Sequence, residues 1–283
     1  MARRDVERAS PFAALALVAS LLGLEGCNVT ALDRLIYFPD RNVPAPPPGV
    51  SERRFTTADG VELHAWYAPA ADGRPAQDAP TLVWSHGNGG NIAWREDVLL
   101  ALAARGLNVL AYDYRGYGRS TGRPSQAGVE LDAEAAYDLL ARDGVPPERI
   151  VAFGESLGGA VSITLARRRP CAAVIVVSTF PRLRDVARAH YGTLAMLAGN
   201  QFDSTDNVRR LGVPILVAHG DRDEIVPYAL GEQLYALAAG EKRFLRVAGA
   251  HHNDVFEDPD LLDAIAAFAH AAAHTAPPPP SGG

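Results

Sequence analysis

Cysteine is almost absent from this chain of 283 residues: Cys27 and Cys171 are the only two. Two thiols cannot build a disulfide framework or a zinc site of paired-cysteine type. Charge is not concentrated either, since the net charge is −6 and the longest basic run is Arg167-Arg168-Arg169. Nucleic acid is therefore excluded as an expected partner, because phosphate binding needs a clustered positive surface. Long apolar runs are missing except for one near the N-terminus, which excludes a multi-span membrane protein. Neither a Gly-Lys-Ser/Thr nor a Gly-x-Gly-x-x-Gly spelling occurs, so the usual phosphate-binding loops have no support. What is present, 48% apolar and 21% charged residues, is ordinary for a globular chain.

The front end has the layout of an export signal. Arg3, Arg4 and Arg8 open it, and Pro11 to Leu24 form an apolar stretch of 14 residues. A bilayer span takes about 17–25 residues, so this stretch fits the core of a signal peptide instead. It ends in Leu24-Glu25-Gly26-Cys27, which resembles the bacterial lipobox. Glu25 departs from that pattern, where a small residue is usual, and Asp5 and Glu7 dilute the positive start. The expectation is a lipoprotein-type signal peptide over residues 1–26, lipidation of Cys27, and a Pro-rich tether over residues 27–50. The protein is then exported to the cell envelope and held on a membrane by its lipid; Asn28, where aspartate commonly marks inner-membrane retention, favours the outer membrane. An ordinary secretory signal or an uncleaved anchor is the alternative. Cys171 is left without a thiol to oxidise against and reads as a buried structural residue.

Residues 51–275 read as one domain and residues 276–283 as a disordered tail. No internal repeat is visible. The spacing predicts strands at Val61–Tyr67, Thr81–Trp84, Asn108–Tyr112, Ile150–Phe153, Ala173–Val177, Ile215–Ala218 and Phe244–Val247. Helical periodicity lies between most of them, at Ile92–Arg105, Gln126–Arg142, Leu157–Arg168, Tyr228–Ala239 and Asp260–Ala273. Runs such as Val174-Ile175-Val176-Val177 are continuously apolar, as parallel strands covered on both faces are. The fold class is therefore α/β, with a mostly parallel central sheet and helices on both faces. In such sheets ligands bind beyond the carboxyl ends of the strands.

The chemistry-bearing residues sit at those ends. Gly154-Glu155-Ser156-Leu157-Gly158 follows one strand and opens a helix, the setting that a Gly-x-Ser-x-Gly turn requires. The turn lifts the serine hydroxyl onto a helix N-terminus, where partial positive charge favours a developing anion. Serine needs a base, and the base needs a carboxylate to orient it. Asp221 and Asp223 follow the strand Ile215–Ala218, and His251 and His252 follow Phe244–Val247. Serine, aspartate and histidine thus appear in that order after successive strands. The loop Ser85-His86-Gly87-Asn88-Gly89-Gly90-Asn91 ahead of a helix can supply backbone N–H groups to an oxyanion, together with the amide of Leu157.

With these strings, and with Tyr112-Asp113-Tyr114-Arg115-Gly116-Tyr117-Gly118 and His252-Asn253-Asp254, the chain resembles a serine hydrolase of the α/β-hydrolase superfamily. It is most similar to the short-lid branch that includes eukaryotic protein depalmitoylases. The resemblance implies Ser156 as nucleophile, Asp223 as acid, His252 as base, and the amides of Asn88 and Leu157 as oxyanion donors. It implies hydrolysis of carboxylic esters or thioesters of a small-molecule or acylated substrate, with no cofactor and no metal. The family usually has glycine where this chain has His251, so two adjacent histidines compete for the role of base. A peptidase or amidase of the same fold is the alternative, as is a catalytically silent binding protein.

Other polar residues have duller readings. Asp113 and Arg115 suggest a structural ion pair; His64, His270 and His274 read as bystanders, and His86 and His219 as loop-shaping core histidines. A metal site from His251, His252 and Asp254 is disfavoured, because adjacent residues project in different directions. Residues 179–212 read as a small helical lid, with Leu183, Val186, Ala187, Tyr191 and Leu194 at helical spacing. A surface crossover without a gating role is the alternative. Composition carries no indication of oligomeric state.

Overall fold

The computed structural model describes residues 36–193 and 199–275. The expected signal peptide, Cys27, Leu194 and the C-terminal tail lie outside the described residues. The chain divides after Tyr37, and everything below concerns the unit that starts at Phe38.

Ten strands and seven α-helices follow one another along the described residues. The strands are β1 (Phe38–Pro39), β2 (Ser51–Thr56), β3 (Glu62–Ala68), β4 (Thr81–Ser85), β5 (Gly89–Gly90), β6 (Asn108–Tyr112), β7 (Ile150–Glu155), β8 (Ala173–Val177), β9 (Ile215–Gly220) and β10 (Lys242–Val247). The helices are α1 (Glu96–Ala103), α2 (Gln126–Arg142), α3 (Leu157–Arg168), α4 (Leu183–Tyr191), α5 (Thr205–Arg209), α6 (Tyr228–Leu237) and α7 (Pro259–Thr275). Eight strands form the central sheet in the order β2-β3-β6-β4-β7-β8-β9-β10. The pairs β2–β3 and β3–β6 are antiparallel, and the rest are parallel.

Register brings the functional loops to one end of the sheet. Ser85 pairs with Gly154, Glu155 with Val177, and Gly220 with Val247. The chain therefore leaves β4, β7, β9 and β10 at the same edge of the sheet, with β8 between β7 and β9. Below that edge the inner strands are fully buried, as their unbroken apolar runs require. One face packs on α1 and α7: Leu82, Trp84, Val151 and Phe153 share a core with Leu99, Leu102, Leu261 and Ile265. Strand residues of the other parity, such as Val83, Ala152 and Val176, are buried beneath α2, α3 and α6.

Two features departed from expectation. Strand β2 was not foreseen, because Ser-Glu-Arg-Arg-Phe-Thr buries only Phe55. It is an edge strand, and its charged side chains blunt an edge that could otherwise recruit another chain. The second feature is the Pro-rich segment, whose described part does not stand off as a tether. Strand β1 pairs in parallel with β5, through Phe38 N–H to the Asn88 carbonyl (3.0 Å) and Asp40 N–H to the Gly90 carbonyl (3.0 Å). Asn91 Nδ2 donates to the carbonyls of Asp40 (3.2 Å) and Asn42 (2.9 Å), and Val43 is buried in the core. Residues 38–43 are a strap across the loop that follows β4. Prolines stiffen the backbone but do not decide whether it docks; the backbone carbonyls of Asn88 and Gly90 do.

Candidate active site

Ser156 stands between β7 and α3 with φ 51° and ψ −122°, a conformation that costs an L-residue of order 1–3 kcal/mol. The surroundings hold it there. Its amide donates to the Val177 carbonyl (2.9 Å), and its own carbonyl accepts from the Gly159 amide (3.0 Å) and Thr179 Oγ1 (2.6 Å). Glycine is required on both sides. A Cβ on Gly154 would collide with the Gly158 backbone, and one on Gly158 would overlap the Ser85 carbonyl. The first turn of α3 is thereby seated against the end of β4, with the Leu157 amide at the helix position whose N–H has no intrahelical acceptor.

His252 Nε2 lies 3.2 Å from Ser156 Oγ, and its Nδ1 lies 2.7 Å from Asp223 Oδ2. The order of proton positions follows from the carboxylate: Nδ1–H donates to Asp223, which leaves Nε2 to accept from the serine hydroxyl. The Asp223 side chain is fully buried. Burial by itself would raise its carboxyl, but hydrogen bonds from His219 and His252, the His252 charge and the Val226 amide together hold it well below the usual carboxylate range. The second oxygen of Asp223 accepts the amides of Ile225 (2.9 Å) and Val226 (2.7 Å). His219 Nε2 donates to the Val226 carbonyl (2.8 Å) and stands 3.3 Å from Asp223 Oδ2, so this histidine shapes the loop that carries Asp223.

The neighbours that competed for these roles point elsewhere. His251 Nδ1 meets Glu224 Oε2 at 2.9 Å on the surface. Asp221 binds Arg246 through Nε (2.8 Å) and Nη2 (2.5 Å), and accepts the Gly249 amide (2.7 Å), which pins the turn that delivers His252. Hydrogen bonding from Arg246, then from Gly249, keeps the Asp221 carboxyl low.

The loop 86–91 lies beside Ser156, since a Cβ on Gly87 would come 3.6 Å from Ser156 Cβ. Its carbonyls are anchored one after another. His86 O accepts from Tyr114 Oη (2.8 Å), Gly87 O from His86 Nδ1 (2.7 Å), and Asn88 O from Tyr117 Oη (2.8 Å). Burial, with Arg95 nearby, keeps His86 neutral by holding its pKa well below the ordinary value. A trans peptide points its C=O and N–H in opposite directions, so an anchored Gly87 carbonyl fixes the direction of the Asn88 N–H.

The remaining polar residues settle into structural roles, with one correction. Arg115 does not pair with Asp113; it binds Asp132 (Nε, 2.9 Å) and Asp59 (Nη1, 2.7 Å). Asp113 instead accepts the Ile92 amide (3.0 Å) and faces buried His64 at 3.1 Å. His270 Nε2 donates to the Arg105 carbonyl (3.2 Å). Cys171 is half-buried, and burial around its sulfur pushes the thiol up to about 12. Among the described residues no group of His, Cys, Asp and Glu is arranged to hold a metal ion. The helix of the expected lid, α4, has no fully buried residue; His190 Nε2 ties it to the Ile225 carbonyl (2.7 Å) in the loop that carries Asp223.

The family described as serine aminopeptidase S33 matches residues 76–205 of this chain. An uncharacterized protein of Mycobacterium tuberculosis, MT2364, is 40% identical over 265 residues, which is 90% of this chain and 91% of that protein. The alpha/beta hydrolase domain-containing protein aho-3 of Caenorhabditis elegans is 36% identical over 190 residues, 66% of this chain and 57% of that protein. Among solved structures, an esterase of Pyrococcus furiosus superposes with a TM-score of 0.68 at 20% identity, over 84% of this chain and 98% of its own.

Proposed function

The chain belongs to the α/β-hydrolase superfamily, and from that premise we propose that it is a serine hydrolase that cleaves carboxylic ester or thioester bonds through an acyl-enzyme. One observation carries the reading: Ser156, on its strained turn, is in hydrogen-bond line with His252 and Asp223. In this reading Ser156 Oγ attacks the acyl carbon while His252 Nε2 takes its proton. The buried Asp223 carboxylate favours the imidazolium so formed. Negative charge grows on the former carbonyl oxygen, where the amides of Asn88 and Leu157 receive it. Collapse expels the alcohol or thiol, protonated by His252, and water then repeats the sequence on the acyl-enzyme.

Reaction with a fluorophosphonate probe tests this directly. Labelling at Ser156 that disappears in Ser156→Ala, with hydrolysis lost by several orders of magnitude, is the expected result. A Ser156→Ala protein that folds and still turns over esters removes the proposal, and an unlabelled but folded wild type points to a silent binding protein. A peptidase or amidase is the second reading, favoured by the description of the matching family as an aminopeptidase. Parallel assays on aryl esters, thioesters and aminoacyl amides separate the two.

Export and lipidation at Cys27, with residence in the cell envelope and the outer membrane preferred, is proposed on the spelling of residues 1–28 alone. Cys27→Ser is expected to release the protein from the membrane fraction or to stall its processing. Intact mass showing unmodified Cys27, or retention of residues 1–26, removes it.

A further inference from the structure

We infer that Glu155 and Arg95 form a brace that positions the oxyanion loop against the nucleophile; this inference rests on the hydrolase reading above. Glu155 is the last residue of β7 and immediately precedes Ser156. Its Oε1 accepts the Gly87 amide (2.8 Å) and two nitrogens of Arg95, Nε at 2.7 Å and Nη2 at 2.5 Å. The third nitrogen of the same guanidinium, Nη1, donates to the carbonyls of Gly89 (2.9 Å) and Asn91 (3.1 Å). One ion pair therefore ties the residue before the nucleophile to the amide at the start of the loop and to two carbonyls at its far end. The two side chains are each only 14% exposed, so the pair is partly shielded from competing water.

The loop needs such outside support. Gly87, Gly89 and Gly90 have no side chains to restrict their dihedrals, and glycine backbone is the most permissive. A donor can stabilise an oxyanion only if its position is already set within roughly 0.5 Å. The aromatic anchors Tyr114 and Tyr117 hold the loop's carbonyls from one side. The Glu155–Arg95 pair links the loop to the strand that carries Ser156 itself. The pair is internally neutral, so its contribution is geometric: it sets the distance between the attacking oxygen and the amides that receive the negative charge. Arg95 and Glu155 touch no reacting atom in this scheme and are positioning residues.

The experiment uses full-length protein as wild type, Glu155→Ala, Glu155→Gln, Arg95→Met and Arg95→Lys. Each is assayed on an aryl ester, for inhibition by an aryl trifluoromethyl ketone (whose hemiketal carries the oxyanion), and for thermal unfolding. Glu155→Ala and Arg95→Met are expected to lower kcat about 10- to 100-fold and to weaken the inhibitor by a similar factor, with KM within about threefold of wild type. Glu155→Gln keeps a carbonyl oxygen for the Gly87 amide and recovers most of the loss. Arg95→Lys recovers little, because one ammonium cannot span Glu155 and both carbonyls. Folded variants with wild-type kcat and inhibitor affinity overturn the brace, as does a kcat loss with inhibitor affinity unchanged. If the alanine and methionine variants fail to fold, Arg95→Lys decides alone, since wild-type kcat in that protein overturns the inference. The parent reading is checked separately on wild type and Ser156→Ala: labelled wild type with an unaffected Arg95→Lys sinks only the brace, whereas an active Ser156→Ala sinks both.

Discussion

Asp223 and His252, 29 residues apart in sequence, meet at 2.7 Å through Oδ2 and Nδ1. The carboxyl is held below the usual carboxylate range: burial opposes this, and the hydrogen bonds from His219 and His252 and the charge of His252 outweigh it. A group whose folded pKa is depressed contributes stability above its unfolded value, about 3.9, and loses that contribution as pH falls through the folded value. Asp223→Asn is therefore expected to be less stable than wild type at pH 7, with the gap narrowing below about pH 4. Its kcat should fall about 10³- to 10⁴-fold, because the amide cannot hold the productive imidazole tautomer. Urea midpoints and kcat measured on the same samples check both halves.

The two adjacent histidines separate cleanly by substitution. His252→Ala is expected to lose at least about 10³-fold in kcat. His251→Ala removes a surface contact to Glu224 and should stay within about threefold. Steady-state kinetics with the order reversed would assign the base to His251.

Asn91 joins the strap to the loop 86–91 and caps the 3₁₀ turn Ile92–Arg95 through the Ala93 amide (2.9 Å). Asn91→Ala is expected to cost about 1–2 kcal/mol of stability and about tenfold in kcat. Unchanged kcat in a folded variant would mean that residues 38–43 support the fold without bearing on the loop's geometry.

Asp132 is a buried carboxylate whose role is structural. It accepts both the amide (2.8 Å) and the Nε (2.9 Å) of Arg115, with its own side chain fully buried. Asp132→Ala leaves the cation without its inner partner and is expected to cost about 3–5 kcal/mol, while kcat of the remaining folded protein stays near wild type. Denaturant titration measures the first, active-site-titrated kinetics the second.

Substrate size is proposed to follow from α4. Leu183, Val186 and Ala187 of α4 are only half-buried, and we propose that they line a short acyl pocket. Each buried CH₂ contributes roughly 0.8 kcal/mol, so reward for longer acyl groups stops where that pocket ends. Aryl esters are expected to peak in kcat/KM at about C2 to C6. A chain-length series below the micelle threshold that peaks at about C12 or beyond would show a deep acyl groove in place of a short pocket.

The sequence by itself determined whatever depends on local pattern. Continuous apolar runs from Ala173 to Val177 and from Ile215 to Val217 demand burial on both faces, and helical periodicity between strands demands crossovers, so the parallel α/β sheet was legible. So was the turn at Ser156, because glycines at 154 and 158 are the only residues that its close packing admits. Tertiary structure alone decided which of two neighbours faces inward. His251 and His252, or Asp221 and Asp223, are chemically alike, and a one-residue difference in a loop reverses the direction of a side chain without changing any periodicity. It also decided partners far apart in sequence. Arg115 chose Asp59 and Asp132 over nearby Asp113, Arg95 reached Glu155 across 60 residues, and the strap found Gly89 and Gly90. Such pairings are set by strand order and by backbone groups left unsatisfied after folding, and neither quantity exists until the sheet has formed.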